Sequence, residues 1–124
     1  MIVIDTDVLI EIYDKKSRLG SVAFEKLMNS GDTFCITVIN LHEMLYGLLK
    51  YAKPSEYLMQ LPVLDYTAGD AKLAAELEIR AEAKGRKVLR TDAMIAAIAI
   101  NNNARLYTNN RTHFEHFDGL ELIR

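Results

Sequence analysis

Cysteine is almost absent from this sequence, and its scarcity excludes one class of folds. The only cysteine, Cys35, lies in the apolar run FCITVI, so no disulfide can form within the chain. Small secreted proteins often depend on such cross-links, whereas a reducing cytoplasm disfavours them. We therefore expect a cytoplasmic protein in which Cys35 is a small buried hydrophobic residue.

Long apolar runs are lacking as well. The longest one, Ala93 to Ile100, falls far short of the roughly 20 residues that a membrane-spanning helix needs. No charged leader precedes an apolar stretch and a cleavage site. Proline and glycine are also scarce, and half of the 124 residues are hydrophobic. We expect one domain over residues 1–124, with a single core and no membrane association.

An excess of positive charge is missing too, which counts mildly against a polyanionic substrate. The formal net charge is −2, whereas nucleic-acid binders are often strongly basic. One local cluster of five basic residues departs from this balance: Arg80, Lys84, Arg86, Lys87 and Arg90. One explanation is that these cations lie near a helix C-terminus before Gly85, where the helix dipole favours positive charge. The other is that they form a surface that binds the phosphates of a nucleic acid.

Short β-branched segments alternate with helical patterns along the chain. The predicted strands cover residues 2–4, 33–38, 62–65 and 105–108, with a possible fifth at 120–123. The predicted helices cover residues 8–15, 21–28, 39–52, 55–60, 68–84 and 92–100, with a turn or short helix at 111–117. This alternation predicts a three-layer α/β/α sandwich around a mainly parallel sheet of four to five strands.

Particular residues are expected to fix the helix ends. Asp7 is predicted to cap the first helix, and Thr67 and Asp70 to form a capping box for the long helix that ends at Gly85. Asp92 is predicted to begin a helix that is apolar all round and therefore buried.

The helix after the second strand has one apolar face. Its members are Leu41, Leu45 and Leu48, with Ala52 one turn later. Glu43 lies nearly opposite this face.

Three carboxylates and one amide are predicted to reach the same edge of the sheet. Asp5 and Asn110 follow strands, Asp92 lies in the first turn of a buried helix, and Glu43 lies near the start of another helix. In open parallel sheets, the functional crevice lies beyond the carboxyl ends of the strands. Such a gathering of negative charge requires a cation or a shared proton. Carboxylate and amide oxygens suit Mg²⁺ or Mn²⁺.

Each of these residues also has a simpler explanation. Asp92 could serve only as a helix cap, and Glu43 only as a solvated residue on a polar face. Asn110 could be a turn residue, and Asp5 could begin an Asx turn. These explanations predict no spatial relation among the four residues, whereas a functional site requires one.

Zinc is a less suitable ion for this chain. His113 and His116 are the only closely spaced pair of histidines, and they lack a third partner. His42 adjoins Glu43 but points elsewhere on a helix, so we expect it at the surface.

Four ordered segments cover essentially the whole chain: IDTDVLIE at residues 4–11, INLHEMLYGL at 39–48, AKGRKVLRTDAMIAAIA at 83–99 and LYTNNRTHF at 106–114. This series resembles the PIN-domain family of ribonucleases, and it is similar in size and motifs to VapC-type toxins. The resemblance implies an endoribonuclease that hydrolyses RNA phosphodiester bonds with Mg²⁺ or Mn²⁺. Asp5, Glu43 and Asp92 match the three acidic metal-binding positions of the family, and Asn110 matches the fourth.

The fourth position is often aspartate in PIN nucleases, so asparagine lowers the negative charge of the expected site. Asp7 stands where a small polar residue is frequent in the family, and its carboxylate would restore some of that charge. The hydroxyl groups of Thr6 and Thr108 are expected to position the attacking water. The expected mechanism is direct attack by water on phosphorus, without a covalent protein intermediate.

The resemblance also implies partners. VapC-type toxins are usually made beside a small antitoxin, and they often form homodimers through helices. Four residues outside the main apolar faces are candidates for such interfaces: Tyr13, Tyr46, Leu49 and Tyr51. An ordinary satellite core explains them equally well. In this setting, the basic cluster from Arg80 to Arg90 is a candidate for contacts with RNA phosphates.

Three other functions stay open at this stage. The chain could be a nuclease that processes RNA without an antitoxin, or a catalytically inactive PIN scaffold, which Asn110 allows. A receiver-like phospho-acceptor module would use Asp5, Asp7 and Asp65 instead. That module requires a lysine after a late strand, and the sequence has none after Lys87.

Overall fold

Four parallel strands form the central sheet, in the order β3-β2-β1-β4. A computed structural model describes residues 1–123. The strands are β1 (Ile2–Ile4), β2 (Phe34–Thr37), β3 (Val63–Leu64) and β4 (Arg105–Tyr107). β1 pairs with β2 on one side and with β4 on the other, so it lies near the middle of the sheet. The predicted parallel sheet is therefore confirmed.

Helices connect the strands and cover both faces of the sheet. They are α1 (Thr6–Leu9), α2 (Arg18–Asn29), α3 (Val38–Lys50), α4 (Ala68–Ala83), α5 (Arg90–Asn101) and α6 (Arg111–Phe114). A π-helical segment, Ile10–Asp14, extends α1, and a 3₁₀ helix covers Glu56–Gln60. The possible fifth strand amounts to one parallel bridge between Leu106 and Leu122.

Side chains of β1 alternate between two hydrophobic cores. Val3 packs in the core that includes α4 and α5, whereas Ile2 and Ile4 pack in the core that includes α1, α2 and α3. All three side chains are buried, as expected for a central parallel strand with both faces covered. The α/β/α sandwich is thus confirmed, whereas the expected single core is divided by the sheet into two, one on each face. Cys35 is buried as predicted.

Three local predictions require correction. Asp5, rather than Asp7, is the N-cap of α1, because Asp5 has extended backbone angles directly after β1 and its side chain accepts a hydrogen bond from the backbone N–H of Thr6. α5 begins at Arg90, which places Asp92 in its first turn. Ala52 lies beyond the end of α3, is exposed and has a left-handed φ of 53°.

The buried face of α3 also differs from the predicted apolar stripe. Asn40, Met44 and Leu48 are its fully buried residues, while Leu41 and Leu45 are partly buried at its margin. A polar residue therefore occupies the buried face near the start of this helix. The capping box of Thr67 and Asp70 is confirmed.

Within residues 1–123, the longest apolar helices lack the length and hydropathy required to cross a lipid bilayer.

Gly20 allows a close approach between α2 and the preceding π-helical segment. A Cβ atom at this position would overlap the backbone of Glu11 and Ile12. We expect Gly20→Ala to lower the free energy of unfolding by about 2 kcal/mol or more, because the backbone must move. Gly47→Ala is the matched control, since a Cβ atom there meets no neighbour in the middle of α3. It should raise stability by about 0.5–1 kcal/mol.

Urea denaturation of both variants measures these changes. Equal effects of the two substitutions would contradict the close packing that we infer at Gly20.

Candidate active site at the carboxyl edge of the sheet

Asp5 lies directly after β1, at the carboxyl edge of the sheet. Its Oδ1 accepts hydrogen bonds from the backbone N–H of Thr6 at 2.9 Å and from Asn40 Nδ2 at 3.3 Å. Its Oδ2 accepts a hydrogen bond from Thr108 Oγ1 at 2.7 Å. Donors from three different segments therefore hold this carboxylate in one orientation.

The environment of Asp5 favours its neutral form. The side chain is only 7% exposed. Burial, followed by the negative charge of Asp7, raises the pKa of Asp5 to about 7, while hydrogen bonds from Thr108 and Thr6 act in the opposite direction. The charge of Asp92 raises this pKa further. A carboxylate that is buried, oriented and close to other acids is typical of a functional site.

This raised pKa predicts a pH dependence of stability. The folded protein retains the proton of Asp5 up to about pH 7, whereas the unfolded chain loses it near the ordinary value of 3.8. The protonated Asp5 side chain therefore makes its full contribution to the free energy of unfolding below pH 3.8, and this contribution is lost as the pH rises through 7. Without divalent ions, we expect a loss of about 2 kcal/mol between pH 5 and pH 7.

The measurement is urea denaturation in EDTA across this pH range. Subtracting the profile of Asp5→Asn isolates the contribution of this group from those of other acids. Identical profiles for the two proteins would contradict the assignment.

Glu43 is connected to Asp5 through two polar side chains. Its Oε1 accepts a hydrogen bond from Thr6 Oγ1 at 2.9 Å, and Asn40 Nδ2 donates to the same hydroxyl at 3.0 Å. Glu43 is exposed, and its charge raises the pKa of Asp92. The structure therefore brings Glu43 to the edge occupied by Asp5 and Asp92. The alternative explanation, in which Glu43 is a solvated residue with no spatial relation to the other acids, does not account for these contacts.

Asp92 does not serve as a helix cap. The N-cap of α5 is Leu89, which provides no side-chain hydrogen bond, and Asp92 lies in the following turn. Its Oδ2 is 3.5 Å from His113 Nδ1. Burial raises the pKa of Asp92 most strongly, His113 lowers it, and the charges of Glu43 and Asp7 raise it again. The capping explanation is therefore wrong.

Asp7 and Thr108 connect the ends of β1 and β4. The backbone N–H of Asn109 donates to Asp7 Oδ2 at 3.2 Å, and the backbone N–H of Asn110 donates to Thr108 Oγ1 at 3.0 Å. The side chain of Asn110 is exposed and makes no capping bond to α6. Burial raises the pKa of Asp7. Asn110 thus lies at the predicted edge, although its side-chain amide makes no hydrogen bond to the acids within residues 1–123.

Two further residues, Asn40 and His113, lie at this edge, and the sequence analysis did not assign either of them to the acidic site. Asn40 is fully buried and contacts Asp5 and Thr6, while its Oδ1 accepts from the backbone of Thr37. Thr37 and Asn40 are three residues apart, which is the spacing of a capping box, and they form one at the start of α3. This spacing was the sequence feature that could have identified Asn40. His113 was considered only as a zinc ligand, but it lies beside Asp92.

The residues present fit a hard divalent cation by their chemistry. The nearby carboxylates are acceptors, and no lysine or arginine within residues 1–123 forms an ion pair with Asp5, Asp7, Glu43 or Asp92. Across the same residues, however, no three His, Cys, Asp or Glu side chains are placed to hold one ion together. Hydroxyl and amide donors engage Asp5 and Glu43 instead, so ion binding requires side-chain rotation.

The basic cluster divides into two parts. Three members pair with acids: Arg80 with Glu76, Lys84 with Asp118, and Arg90 with Glu78. Arg86 and Lys87 instead line a cavity of about 510 Å³ that also includes Asp92. Only this second part faces the acidic edge.

Asp65 does not join this site. It is exposed after β3, and β2 separates β3 from β1 in the sheet. A phospho-acceptor arrangement of Asp5, Asp7 and Asp65 is therefore not formed.

Both the amino-acid sequence and the fold of this chain are similar to those of known proteins. Residues 2–120 match the family described as PIN domain. The tRNA(fMet)-specific endonuclease VapC of Shigella flexneri is 30% identical over 94% of this chain and 92% of that protein. Ribonuclease VapC2 of Rickettsia felis is 32% identical over 78% of each chain.

Solved structures agree with this relationship. The crystal structure of VapBC2 from Rickettsia felis, bound to a DNA fragment from its promoter, superimposes with a TM-score of 0.83 at 29% identity. The match covers 99% of this chain and 98% of that one. DNA-bound VapBC from Salmonella typhimurium gives a TM-score of 0.78 at 25% identity, over 98% and 96% of the two chains. This chain therefore belongs to the PIN-domain family.

Proposed function

We propose that this protein is an endoribonuclease that hydrolyses RNA phosphodiester bonds with Mg²⁺ or Mn²⁺, and that it is the toxin of a toxin–antitoxin pair. The observation that carries the proposal is the oriented, buried carboxylate of Asp5, which has other acids around it. Relatives at 30–32% identity are named as VapC endonucleases or ribonucleases. The cytoplasm is the proposed place of action because its RNA is the substrate.

Asp5, Glu43 and Asp92 are the proposed ligands of the ion, with the amide oxygen of Asn110 as a fourth ligand and Asp7 as an additional charge. When bound, a divalent ion neutralises charge on the phosphate and lowers the pKa of the attacking water.

The remaining groups orient these acids. Thr108 and Asn40 fix the two oxygens of Asp5, and Thr6 connects Asn40 to Glu43. Thr6 and Thr108, whose hydroxyl groups contact Glu43 and Asp5, are the proposed groups that position the attacking water. These contacts hold the acids at one edge before the ion binds, and the side chains then rotate to coordinate it.

An antitoxin and a second copy of the chain are the proposed protein partners. The VapBC structures to which this chain is similar contain both members of such a pair. Tyr46, Leu49 and Tyr51 are 63–68% exposed, as expected for residues that a partner covers. Tyr13 is a weaker candidate, because it stacks on Tyr57 within the chain, with ring centroids 4.9 Å apart.

The test is incubation of the purified protein with an RNA pool and with single-stranded DNA, in Mg²⁺, Mn²⁺ or EDTA. We expect cleavage of RNA that requires the ion. Because water attacks the phosphorus, the products should lack a 2′,3′-cyclic phosphate. Asp92→Asn, purified in the same way, controls for contaminating ribonucleases. Cleavage that survives EDTA, or that persists in Asp92→Asn, would contradict the proposal, and an inactive wild type would indicate a PIN scaffold.

A further inference from the structure

Asn40 is a polar side chain that is completely buried at the start of α3, beside the acidic edge. Its Oδ1 accepts hydrogen bonds from the backbone N–H of Thr37 at 3.0 Å and from Thr37 Oγ1 at 2.8 Å. Its Nδ2 donates to Asp5 Oδ1 at 3.3 Å and to Thr6 Oγ1 at 3.0 Å. Both lone pairs and both N–H groups of this amide are therefore used.

Thr37 fixes the orientation of the Asn40 amide. If the amide turned over, its NH₂ group would face the backbone N–H of Thr37, and two donors cannot pair. The contacts with Thr37 form the cap of α3 and involve no acid. The NH₂ group of Asn40 is therefore held toward the acidic edge even when the acids rotate.

This NH₂ group determines which oxygen of Asp5 is free for an ion. Oδ1 accepts from Asn40 and from the backbone N–H of Thr6, which together use its two lone pairs. Within residues 1–123, Oδ2 accepts a single hydrogen bond, from Thr108 Oγ1 at 2.7 Å. Oδ2 is therefore the oxygen of Asp5 that retains a lone pair.

The same NH₂ group determines where the Thr6 hydroxyl donates. Since Thr6 Oγ1 accepts from Asn40, its one proton is left for another acceptor, and it is donated to Glu43 Oε1 at 2.9 Å. Glu43 is otherwise exposed on α3, so this hydrogen bond holds its carboxylate at the edge. One buried amide thus acts on two of the proposed ion ligands.

A second capping box in the chain shows that the cap itself does not require an amide. α4 begins with the same arrangement, in which the backbone N–H of Thr67 donates to Asp70 Oδ2 at 2.9 Å. Asp70 is also buried, and its other oxygen accepts from Asn101 Nδ2 at 2.8 Å. The box of α4 thus faces an amide with a carboxylate, whereas the box of α3 faces a carboxylate with an amide. Donation to the acidic edge, rather than capping, explains the amide in α3.

We propose that Asn40 is a positioning residue that sets the affinity of the acidic edge for a divalent ion, because its fixed NH₂ group holds Asp5 directly and Glu43 through a hydroxyl. The inference rests on the proposed function, since the ion and its ligands belong to that proposal. Asn40 has no exposed surface, so it acts through these neighbours and does not touch RNA. Replacing side chains that orient metal ligands typically lowers metal affinity or activity by about 10–100-fold.

The first test measures ion binding without RNA. Mn²⁺ is titrated into the protein, and the electron paramagnetic resonance signal of free Mn²⁺ gives the dissociation constant. We expect Asn40→Ala to raise this constant about tenfold, while RNA affinity in EDTA stays equal to that of the wild type. The melting temperature should fall because the N–H of Thr37 loses its acceptor, so binding is measured well below the transition. Equal Mn²⁺ affinities for the two proteins would contradict the proposal.

Asn40→Asp separates positioning from capping. A carboxylate of the same shape still accepts from Thr37, as Asp70 does from Thr67, but it accepts from Thr6 instead of donating to it. At saturating Mn²⁺, we expect kcat to fall about a hundredfold, with KM for RNA unchanged. A role in capping alone predicts the kcat of the wild type. Asp70→Asn makes the reverse exchange in the box of α4 and should leave kcat and Mn²⁺ affinity unchanged.

A double-mutant cycle tests the path through the hydroxyl. Thr6→Val keeps the shape of Thr6 but cannot connect Asn40 to Glu43. The two substitutions share this path, so Asn40→Ala/Thr6→Val should weaken Mn²⁺ binding by less than the product of the two single effects. Independent, multiplicative effects would contradict the path.

The outcomes separate this inference from the ribonuclease assignment. If the wild type neither binds Mn²⁺ nor cleaves RNA, both are wrong. If the wild type binds Mn²⁺ and cleaves RNA, but the Asn40 variants match it in Mn²⁺ affinity and kcat, only the positioning role is wrong.

Discussion

Asp5→Asn is expected to reduce RNA cleavage by about a thousandfold or more while stabilising the metal-free protein. The loss of activity follows because the substitution removes the central negative charge, and a ligated ion contributes several kcal/mol to catalysis. The gain in stability follows because burial and the charge of Asp7 penalise the Asp5 carboxylate above pH 7. We expect a gain of about 2 kcal/mol at pH 8.

The geometry of the site permits this substitution without loss of the fold. Asparagine has the shape of aspartate, its Oδ1 accepts from Thr6 and Asn40, and its Nδ2 can donate to Thr108 Oγ1. The measurements are cleavage of a labelled RNA and urea denaturation in EDTA. Glu56→Gln neutralises an exposed acid on the 3₁₀ helix and serves as the control with no expected effect. Loss of activity together with loss of stability would indicate that Asp5 only supports the fold.

Mn²⁺ is expected to raise the melting temperature of the wild type by about 10 °C at saturation. An ion that binds only the folded state stabilises it by about 2.7 kcal/mol at one hundred times its dissociation constant. For a domain of this size, each kcal/mol corresponds to about 4 °C. The physical source is relief of the repulsion among Asp5, Asp7, Glu43 and Asp92, which adds to burial in raising the pKa of Asp5 and of Asp92.

Thermal denaturation in Mn²⁺ and in KCl of equal ionic strength measures this effect. Asp5→Asn and Asp92→Asn should each lose most of the increase. An equal increase in the wild type and Asp5→Asn would show that the ion binds elsewhere, and no increase in the wild type would show that the acids do not form an ion site.

The sheet and the core were largely predictable because their signals are local. The β-branched run IVI predicted a strand at residues 2–4, and the structure contains it as β1 with its three side chains buried. The apolar pattern of α5 predicted a helix covered on all sides, and six of its residues are buried. The end of that helix was predicted at residue 100, and the structure places it at Asn101.

The finer features of the candidate site were not predictable, because they depend on pairings between distant segments. Asn40 is a polar residue on the buried face of α3, and its role emerges only when α3 packs beside Asp5 and Thr6. The start of α5 was misplaced because Leu89 begins the helix without a capping side chain. Likewise, the proximity of His113 to Asp92 depends on how α6 packs against α5.

The central claim is that the acids at the carboxyl edge of the sheet form an ion-dependent ribonuclease site. Its most direct test is the cleavage rate of one labelled RNA as a function of Mn²⁺ concentration, measured side by side for the wild type and Asp5→Asn. We predict a rate that rises and saturates for the wild type and stays near background for the variant. Superimposable curves for the two proteins would contradict this account.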